Sequence, residues 1–541
     1  MAKTKERKLK KNVYQNAVQL VLVGGLTGVL AGAAVTLYNL LAKYGETFSQ
    51  DIYAVVRENP LFLPLLFAVL ILGAFFLTVA VYFVPMVRGS GIPQVEGATR
   101  GSLCFRWWRD GAVMFAASLV SIVLGLSAGA EGPSLFIGSA CGDGVATLLK
   151  RNEMVRRYQV TGGACAGLAV AFNAPLTGMA FAFEEAHKRF TPEVFICAFS
   201  SVIFAVLTRN GLYSLFSLSV TSAFHGYAFP AQGASLLFYA FLLISSIVCG
   251  LAGVLLYQWI FFLRKAFEKI RAKTAFIGVF LRILIAVLLG GALSLVTAYV
   301  MGGGHSLIES LGTLGGSVDA EFTGMFSLPV VVSLAIVCLL KFAITGVNVG
   351  AGVPCGAFIP MLAIGACIGA LLNCAWLALG MDASYADLIV VICMSAFFTS
   401  IVKAPITGIV MALELTWSFT PLLPVVIGVS VGYFIGDVAR TEGVYEKLLK
   451  EYLEETGSGQ RQEHFEITVR VGNLCIADGR ALRDILFPTG ARVALIERAD
   501  KRIFPSGETV VRSGDILHVD CVTSDEAKMR DELENLVADE P

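Results

Sequence analysis

The 541-residue chain is 56% hydrophobic and only 15% charged, a balance that excludes an ordinary soluble globular protein. Basic and acidic residues are equal at 41 each, so the charge balance points to no nucleic-acid or acidic partner. The 12 cysteines are scattered, with no CxxC pair and no His at zinc spacing, and read as reduced, buried thiols. Nothing in the composition calls for a metal or a cofactor.

In chain order, a basic stretch over residues 1–14 precedes an apolar run from about Val18 to Leu41. That run is too long for a signal-peptide core, so it reads as a cytoplasmic start and a first span with positive charge held inside. Further hydrophobic segments fall near 61–86, 111–128, 160–186, 192–209, 234–263, 276–301, 326–345, 350–380 and 386–438. Residues 210–263 and 342–381 contain no Asp, Glu, Lys or Arg, and each can hold at least one span of roughly 20 residues. Several segments are too long for one span or are broken by Gly and Pro. Such breaks persist at membrane depth only where the freed backbone groups find protein or a water-filled cavity. The spacing predicts an all-α polytopic membrane protein with tilted and broken helices. The 55 glycines favour close helix packing.

An internal repeat divides the membrane region. Asn173-Ala-Pro-Leu-Thr-Gly-Met-Ala-Phe-Ala-Phe-Glu184 returns as Lys403-Ala-Pro-Ile-Thr-Gly-Ile-Val-Met-Ala-Leu-Glu414, and Pro133-Ser-Leu-Phe-Ile-Gly138 as Pro360-Met-Leu-Ala-Ile-Gly365. The two offsets nearly agree, which predicts two related halves, about 15–210 and 234–440. Repeats of this kind typify secondary transporters, with the substrate at the repeat interface. Whether the halves run parallel or inverted is not readable from these matches.

Three Gly/Pro motifs lie in apolar surroundings: Gly89-Ser-Gly-Ile-Pro93, Gly129-Ala-Glu-Gly-Pro133 and Gly356-Ala-Phe-Ile-Pro360. Gly permits unusual backbone angles, and Pro suits a first helical turn. Helix starts carry free N–H groups and about half a positive charge, enough to attract an anion without a fixed cation. The plainer reading is that these motifs are kinks that help packing.

Glu131 follows 20 uncharged residues, and an isolated carboxylate at membrane depth is a functional candidate by default. At a point where helix starts converge, its carboxylate can occupy an anion site and leave on protonation, acting as gate and proton carrier. Its repeat counterpart, placed by the following Pro, is Phe358, so the symmetry breaks there. Glu184 has the counterpart Glu414, which predicts a shared capping or pairing duty, whereas Glu185 aligns with Leu415. His187 and His305 read as ordinary polar residues rather than metal ligands.

With these motifs the chain resembles the ClC family of chloride channels and transporters, over roughly residues 15–450, through the signatures GSGIP, GxEGP and GxFxP. The resemblance implies an inverted-repeat fold, a homodimer in the lipid bilayer with a pore in each subunit, and passage of chloride and protons. It implies a central chloride site made by the hydroxyls of Ser90 and Tyr445 with the amides of Ala357 and Phe358. An outer site would use the amides of Ala130, Glu131, Gly132, Phe358 and Ile359, and an inner one those of Gly89 and Ser90. Glu185 would be the inner proton glutamate; the alternative is a helix-end carboxylate paired with Lys188 or Arg189. Tyr445 is otherwise an interfacial anchor. Ala130 stands where many members carry Arg or Lys, which predicts weaker anion capture in the outer vestibule. Ser90 is shared with chloride-preferring members.

Residues 441–460 read as a linker ending in Thr-Gly-Ser-Gly. In 461–541 about a third of residues are charged. Strands are expected at 465–471, 493–496, 509–512 and 515–522, then a helix from Ser524 to about Val537. This α+β tail resembles the TrkA-C (RCK-C) domain through Gly507-Glu-Thr-Val-Val-Arg-Ser-Gly-Asp-Ile-Leu-His-Val, which implies a cytosolic module able to hold an unidentified small ligand or to aid assembly. The expected protein is a chloride/proton antiporter of the cell (inner) membrane with both termini cytoplasmic. The alternative is a passive, voltage- or proton-gated chloride channel. No HExxH or GxxxxGK[ST] motif supports an enzyme, and a ligand sensor built on the tail is the third class.

Overall fold

The computed structural model describes residues 2–186, 191–218, 227–230, 235–270, 272–312, 329–456 and 463–538, without 474, 476, 486, 489, 500, 524 and 525. His187, Lys188, Arg189 and Ser524 lie outside the described residues. Each half of the membrane region contributes eight described helices. The first half holds α1 (Ala2–Glu58), α2 (Leu63–Phe83), α3 (Ile92–Thr99), α4 (Trp107–Val123), α5 (Glu131–Leu148), α6 (Glu153–Phe172), α7 (Pro175–Phe181) and α8 (Pro192–Leu215). The second holds α9 (Leu236–Glu268), α10 (Ala275–Val296), α11 (His305–Gly312), α12 (Val330–Ala351), α13 (Phe358–Ala378), α14 (Ala386–Val402), α15 (Pro405–Leu415) and α16 (Leu422–Val438). Eight described helices are long and apolar enough to cross a membrane. Exposed Leu65, Leu72 and Phe83 on α2 give it the lipid-facing character of a span at the bundle's rim.

The local chemistry explains where helices start and stop. Side chains cap α6, α8, α9 and α10, where Asn152, Thr191, Ser235 and Thr274 accept from the amides of Val155, Val194, Phe238 and Ile277. The expected single segment 160–186 is cut at Asn173, and the expected segment 386–438 is cut at Lys403. Both residues cap their helix in the left-handed region, at φ 54° and 69°. The first span is longer than the sequence reading, Val18–Glu58. At 1.5 Å per residue it exceeds a bilayer core of about 30 Å, so it tilts or projects.

The repeat is inverted. Glu184, just past α7, accepts from the amides of Ile406 (2.9 Å) and Thr407 (2.7 Å) and from the Thr407 hydroxyl (2.9 Å) at the start of α15. Glu414, at the end of α15, accepts in the same way from Leu176 N (2.8 Å), Thr177 N and Thr177 Oγ1 (both 2.7 Å) at the start of α7. The end of each helix thus caps the start of the other, so the pair runs antiparallel about a local two-fold. The shared duty read from the sequence is reciprocal capping. Close backbone approach supports the same packing elsewhere: a Cβ added at Gly138 on α5 would lie 3.0 Å from Gly167 Cα on α6.

Beyond α16 the expected linker is largely helical, as α17 (Val444–Glu455) buries Val444, Tyr445, Leu448, Leu449 and Tyr452. The C-terminal domain is an antiparallel sheet ordered β1-β4-β2-β3, from β1 (Glu463–Arg470), β2 (Ala491–Arg498), β3 (Lys501–Ile503) and β4 (Ile516–Thr523). Helix α18 (Glu526–Val537) adds Met529, Leu533 and Leu536 to its core. Two sequence expectations change here. Thr509–Arg512 is not a full strand: it pairs with residues 479–482 only around the isolated bridge Val510–Ala481, and the turn that follows it, closed by Asp515 accepting from Arg512 N at 2.8 Å, ends the pairing. β3 went unread because Lys501 and Arg502 are exposed edge residues with no apolar alternation. The domain meets the membrane region through Arg157–Glu532 (3.2 Å) and Arg480–Glu193 (2.6 Å).

Candidate functional site

The three Gly/Pro motifs open α3, α5 and α13, and none of these helices has a side-chain cap. Their N-caps are Gly91, Ala130 and Ala357. The helix starts are drawn together by the backbone. Gly129 N donates to Gly356 O (2.8 Å) and Gly356 N to Gly129 O (2.9 Å), while Gly89 N donates to Gly352 O (3.2 Å) and Cys355 N to Gly89 O (3.3 Å). Glycine is required at these crossings. A Cβ on Gly356 would lie 2.5 Å from Gly129 O, and one on Gly132 would lie 2.6 Å from Ser90 O. Gly89 and Gly91 also take φ of 75° and 81°, which L side chains rarely adopt. Three N-terminal ends, each worth about half a positive charge, therefore meet in one place.

Two cavities approach this point. One is lined by Gly89, Ser90, Ala357 and Tyr445, among others. Its free volume is about 30 Å³, more than the roughly 10–15 Å³ that one small solute of water size requires. Ser90 Oγ and Tyr445 Oη are buried without a hydrogen-bond partner among the described residues. Buried hydroxyls normally have partners, so two orphans on one cavity imply a ligand acceptor. The other cavity, about 370 Å³, is lined by Ala130, Glu131, Arg209 and His305 as well as Asn39–Gln50 side chains of α1. Residues 19–23 at the other end of α1 line a pocket with Arg480 of the C-terminal domain. About 20 residues of helix span roughly 30 Å, so this outer vestibule opens on the face away from that domain.

Glu131 stands between the two cavities. It is the first residue of α5 and 2% exposed, and its Oε2 folds back against Gly129. Phe358, its repeat counterpart, is fully buried and packs on Phe172 (5.1 Å), Phe398 (4.5 Å) and Phe181 (6.3 Å). Ile359 is buried beside Gly303, a Cβ on which would sit 3.3 Å from Ile359 Cγ2. Glu185 is buried in the π-helical turn Ala182–Ala186. Its Oε1 lies 3.6 Å from where a Gly443 side chain would begin, next to Tyr445, which feels the charge of both Glu185 and Glu131. Gly89, Ser90, Ala357 and Tyr445 thus line the inner cavity and Ala130 and Glu131 the outer one, while a Cβ on Gly132 would meet Ser90.

Two groups to which the sequence reading gave no functional role stand beside the site. Lys341, wholly buried on α12, donates to Val300 O (3.1 Å), Met301 O (3.1 Å) and Gly302 O (2.9 Å). A lone Lys within an apolar helix was the available signal. His305, read from the sequence as a polar residue rather than a metal ligand, has its Nε2 3.3 Å from Glu131 Oε1. It opens α11 after Gly302-Gly303-Gly304, the second-half equivalent of Gly89-Ser90-Gly91. In both turns the outer glycines have positive φ. The missing charge at Ala130 does not leave the outer vestibule without cations, because Lys43 and Arg209 line it.

Among the described residues no group of three or more His, Cys, Asp and Glu is arranged for a metal ion. A family model described as voltage gated chloride channel matches residues 72–437, and a TrkA-C domain model matches 467–534. The chain is 29% identical over 434 residues to an H(+)/Cl(−) exchange transporter, ClcA, of Vibrio cholerae serotype O1, covering 78% of this chain and 87% of that protein. Among solved structures it is similar to a slow cyanobacterial Cl−/H+ antiporter, at TM-score 0.70 and 21% identity over 81% of this chain and 99% of the other. It is also similar to a CLC-type fluoride/proton antiporter, at TM-score 0.63 and 20% identity over 79% and 97%.

Proposed function

Since the chain belongs to the voltage-gated chloride channel family, whose members move anions across membranes and are not enzymes, we propose that it exchanges chloride for protons. Chloride sits, in this reading, against Ser90, Tyr445 and the amides of Ala357 and Phe358, with Gly89 and Ser90 on the inner approach. The amides of Ala130, Glu131, Gly132, Phe358 and Ile359 hold it further out whenever the Glu131 carboxylate withdraws. Partial charges from helix starts and hydroxyls bind firmly enough to admit the ion and weakly enough to release it. The observation that carries the reading is a single buried carboxylate, Glu131, interrupting a passage between two cavities that is otherwise lined by uncapped helix starts and orphan hydroxyls. Chloride and the carboxylate compete for the same positive end, so protonation of Glu131 and passage of chloride alternate. Glu185, beside Tyr445 on the side of the C-terminal domain, passes protons between that side and Glu131. That side is the cytoplasm in this reading, and two copies form the working dimer. The relative from Vibrio cholerae is described as such an exchanger.

The test is flux through liposomes holding the purified protein. A chloride gradient is expected to drive protons uphill; chloride flux with no proton movement would sink the exchanger and leave the passive channel. In Glu185→Gln, proton transport is expected to fall at least about tenfold while chloride flux stays within about twofold, since a proton-relay group contributes roughly 10²–10⁴-fold. Equal loss of both would show that Glu185 has no proton-specific part.

A further inference from the structure

The outer vestibule holds an imidazole that the exchange mechanism above does not use. His305 Nε2 lies 3.3 Å from Glu131 Oε1. The His305 side chain is 38% exposed while that of Glu131 is 3% exposed. The ring therefore stands between the gating carboxylate and vestibule water. Its place is fixed by the backbone: Gly302 and Gly304 take φ of 56° and 99°, and buried Lys341 ties the three carbonyls of Val300, Met301 and Gly302. The segment just before Glu131 is tied to the same loop, with Ala128 N donating to Gly302 O (3.1 Å) and Gly302 N to Leu126 O (2.9 Å). The imidazole and the carboxylate thus share one frame. The pseudo-symmetry sharpens the point, because Ile92 opens α3 on the inner side where His305 opens α11 on the outer side.

We propose that His305 is the positioning and relay residue through which protons pass between the outer vestibule and Glu131. The proposal rests on the exchanger reading above. In the inward step the Nε2–H bond of the imidazolium breaks as an O–H bond forms on Glu131 Oε1, leaving a neutral ring and a neutral carboxyl. As the protonated carboxyl withdraws, Nε2 opens to vestibule water and takes its next proton there; the outward step is the reverse. Imidazole suits this because its unperturbed pKa is about 6.5. The charged and titratable groups facing it are Glu131 on α5, Glu46 and Lys43 on α1, Glu309 on its own helix, Lys341 on α12, and Arg209 and Tyr213 on α8. Burial of the ring disfavours its charge, whereas the carboxylates of Glu131, Glu46 and Glu309 favour the imidazolium.

The experiment follows chloride-driven proton movement in liposomes while the outer pH is stepped from about 5 to 8, across the imidazole range. The parent protein is expected to show an inflection at roughly pH 6–7. His305→Gln keeps a hydrogen-bonding amide but cannot titrate. It is expected to slow exchange about tenfold at neutral pH, a modest share of what a relay contributes, and to abolish the inflection. Free imidazole added to the outer bath is expected to restore part of the rate. An unchanged rate and inflection in His305→Gln would overturn the proposal. So would a lower rate with the inflection kept and no rescue by imidazole, which is the mark of a purely structural role. Chloride flux without protons in the parent protein would instead sink the exchanger reading itself, before any variant is compared.

Discussion

Replacing Glu131 with alanine is expected to stop proton movement altogether while chloride continues to cross. Glu131 is the first residue of α5 and stands between the inner cavity, with its free Ser90 and Tyr445 hydroxyls, and the outer vestibule. Taking away the carboxylate removes the one acidic group at the convergence of three uncapped helix starts. Their amides then remain open to chloride at all times. The helix-start charge that attracts an anion belongs to the backbone, so it survives the substitution. Proton flux should fall by about 100-fold or more, the scale of losing an essential acid–base group, and chloride flux should stay within a few-fold of the parent. Glu131→Gln imitates the protonated side chain in shape and should give the same loss of protons. Simultaneous recording of both ions in liposomes decides it: continued uphill proton movement in Glu131→Ala would remove Glu131 from the mechanism.

Glu414→Ala is expected to cost the membrane region measurable stability. Its carboxylate accepts three hydrogen bonds at the start of α7, at 2.7–2.8 Å. Deletion leaves two helix-start amides and the buried Thr177 hydroxyl without that acceptor. Loss of an N-terminal cap costs about 0.5–2 kcal/mol, and a hydrogen bond to a charged group contributes about 1.5–3 kcal/mol net, part of which water recovers at the exposed Leu176 amide. A net loss of about 2–4 kcal/mol follows, enough to lower the thermal transition in detergent by roughly 2–4 °C. Glu414→Gln retains one acceptor and should lose less. Because Glu184 makes the matching bonds to α15, Glu184→Ala should cost about the same. A Glu414→Ala protein that melts with the parent would refute the capping role.

Glu184 and Glu185, adjacent in the chain, sit in different surroundings. Glu184 closes the two-fold joint between the repeats, while Glu185, one residue on, is buried against Gly443 and Tyr445. The π-helical turn at Ala182–Ala186 widens the helix there, a distortion that often marks functional positions. The presence of a repeat counterpart for one glutamate and not the other was visible in the sequence and separated them correctly as to structure.

What the sequence by itself determined was everything governed by local chemistry. Apolar run length specified the membrane class, and Gly followed by Pro specified that helices begin near Ile92, Glu131 and Phe358. The repeat specified that Glu184 and Glu414 share a duty. The break in that repeat singled out Glu131. What only the tertiary structure decided was which helix starts meet, that the halves are inverted, and which side chains from distant elements reach the meeting point. Gly129 and Gly356 bond across more than 200 residues of chain, and His305 reaches Glu131 from the other repeat. Such contacts leave no periodicity and no spacing rule behind them. The roles of Lys341 and His305 were missed because each owes its place to partners far away in sequence, whereas a helix cap or a glycine turn is satisfied by its own neighbours; the edge strand Lys501–Ile503 pairs with its neighbour Ile496–Arg498 but shows no apolar alternation.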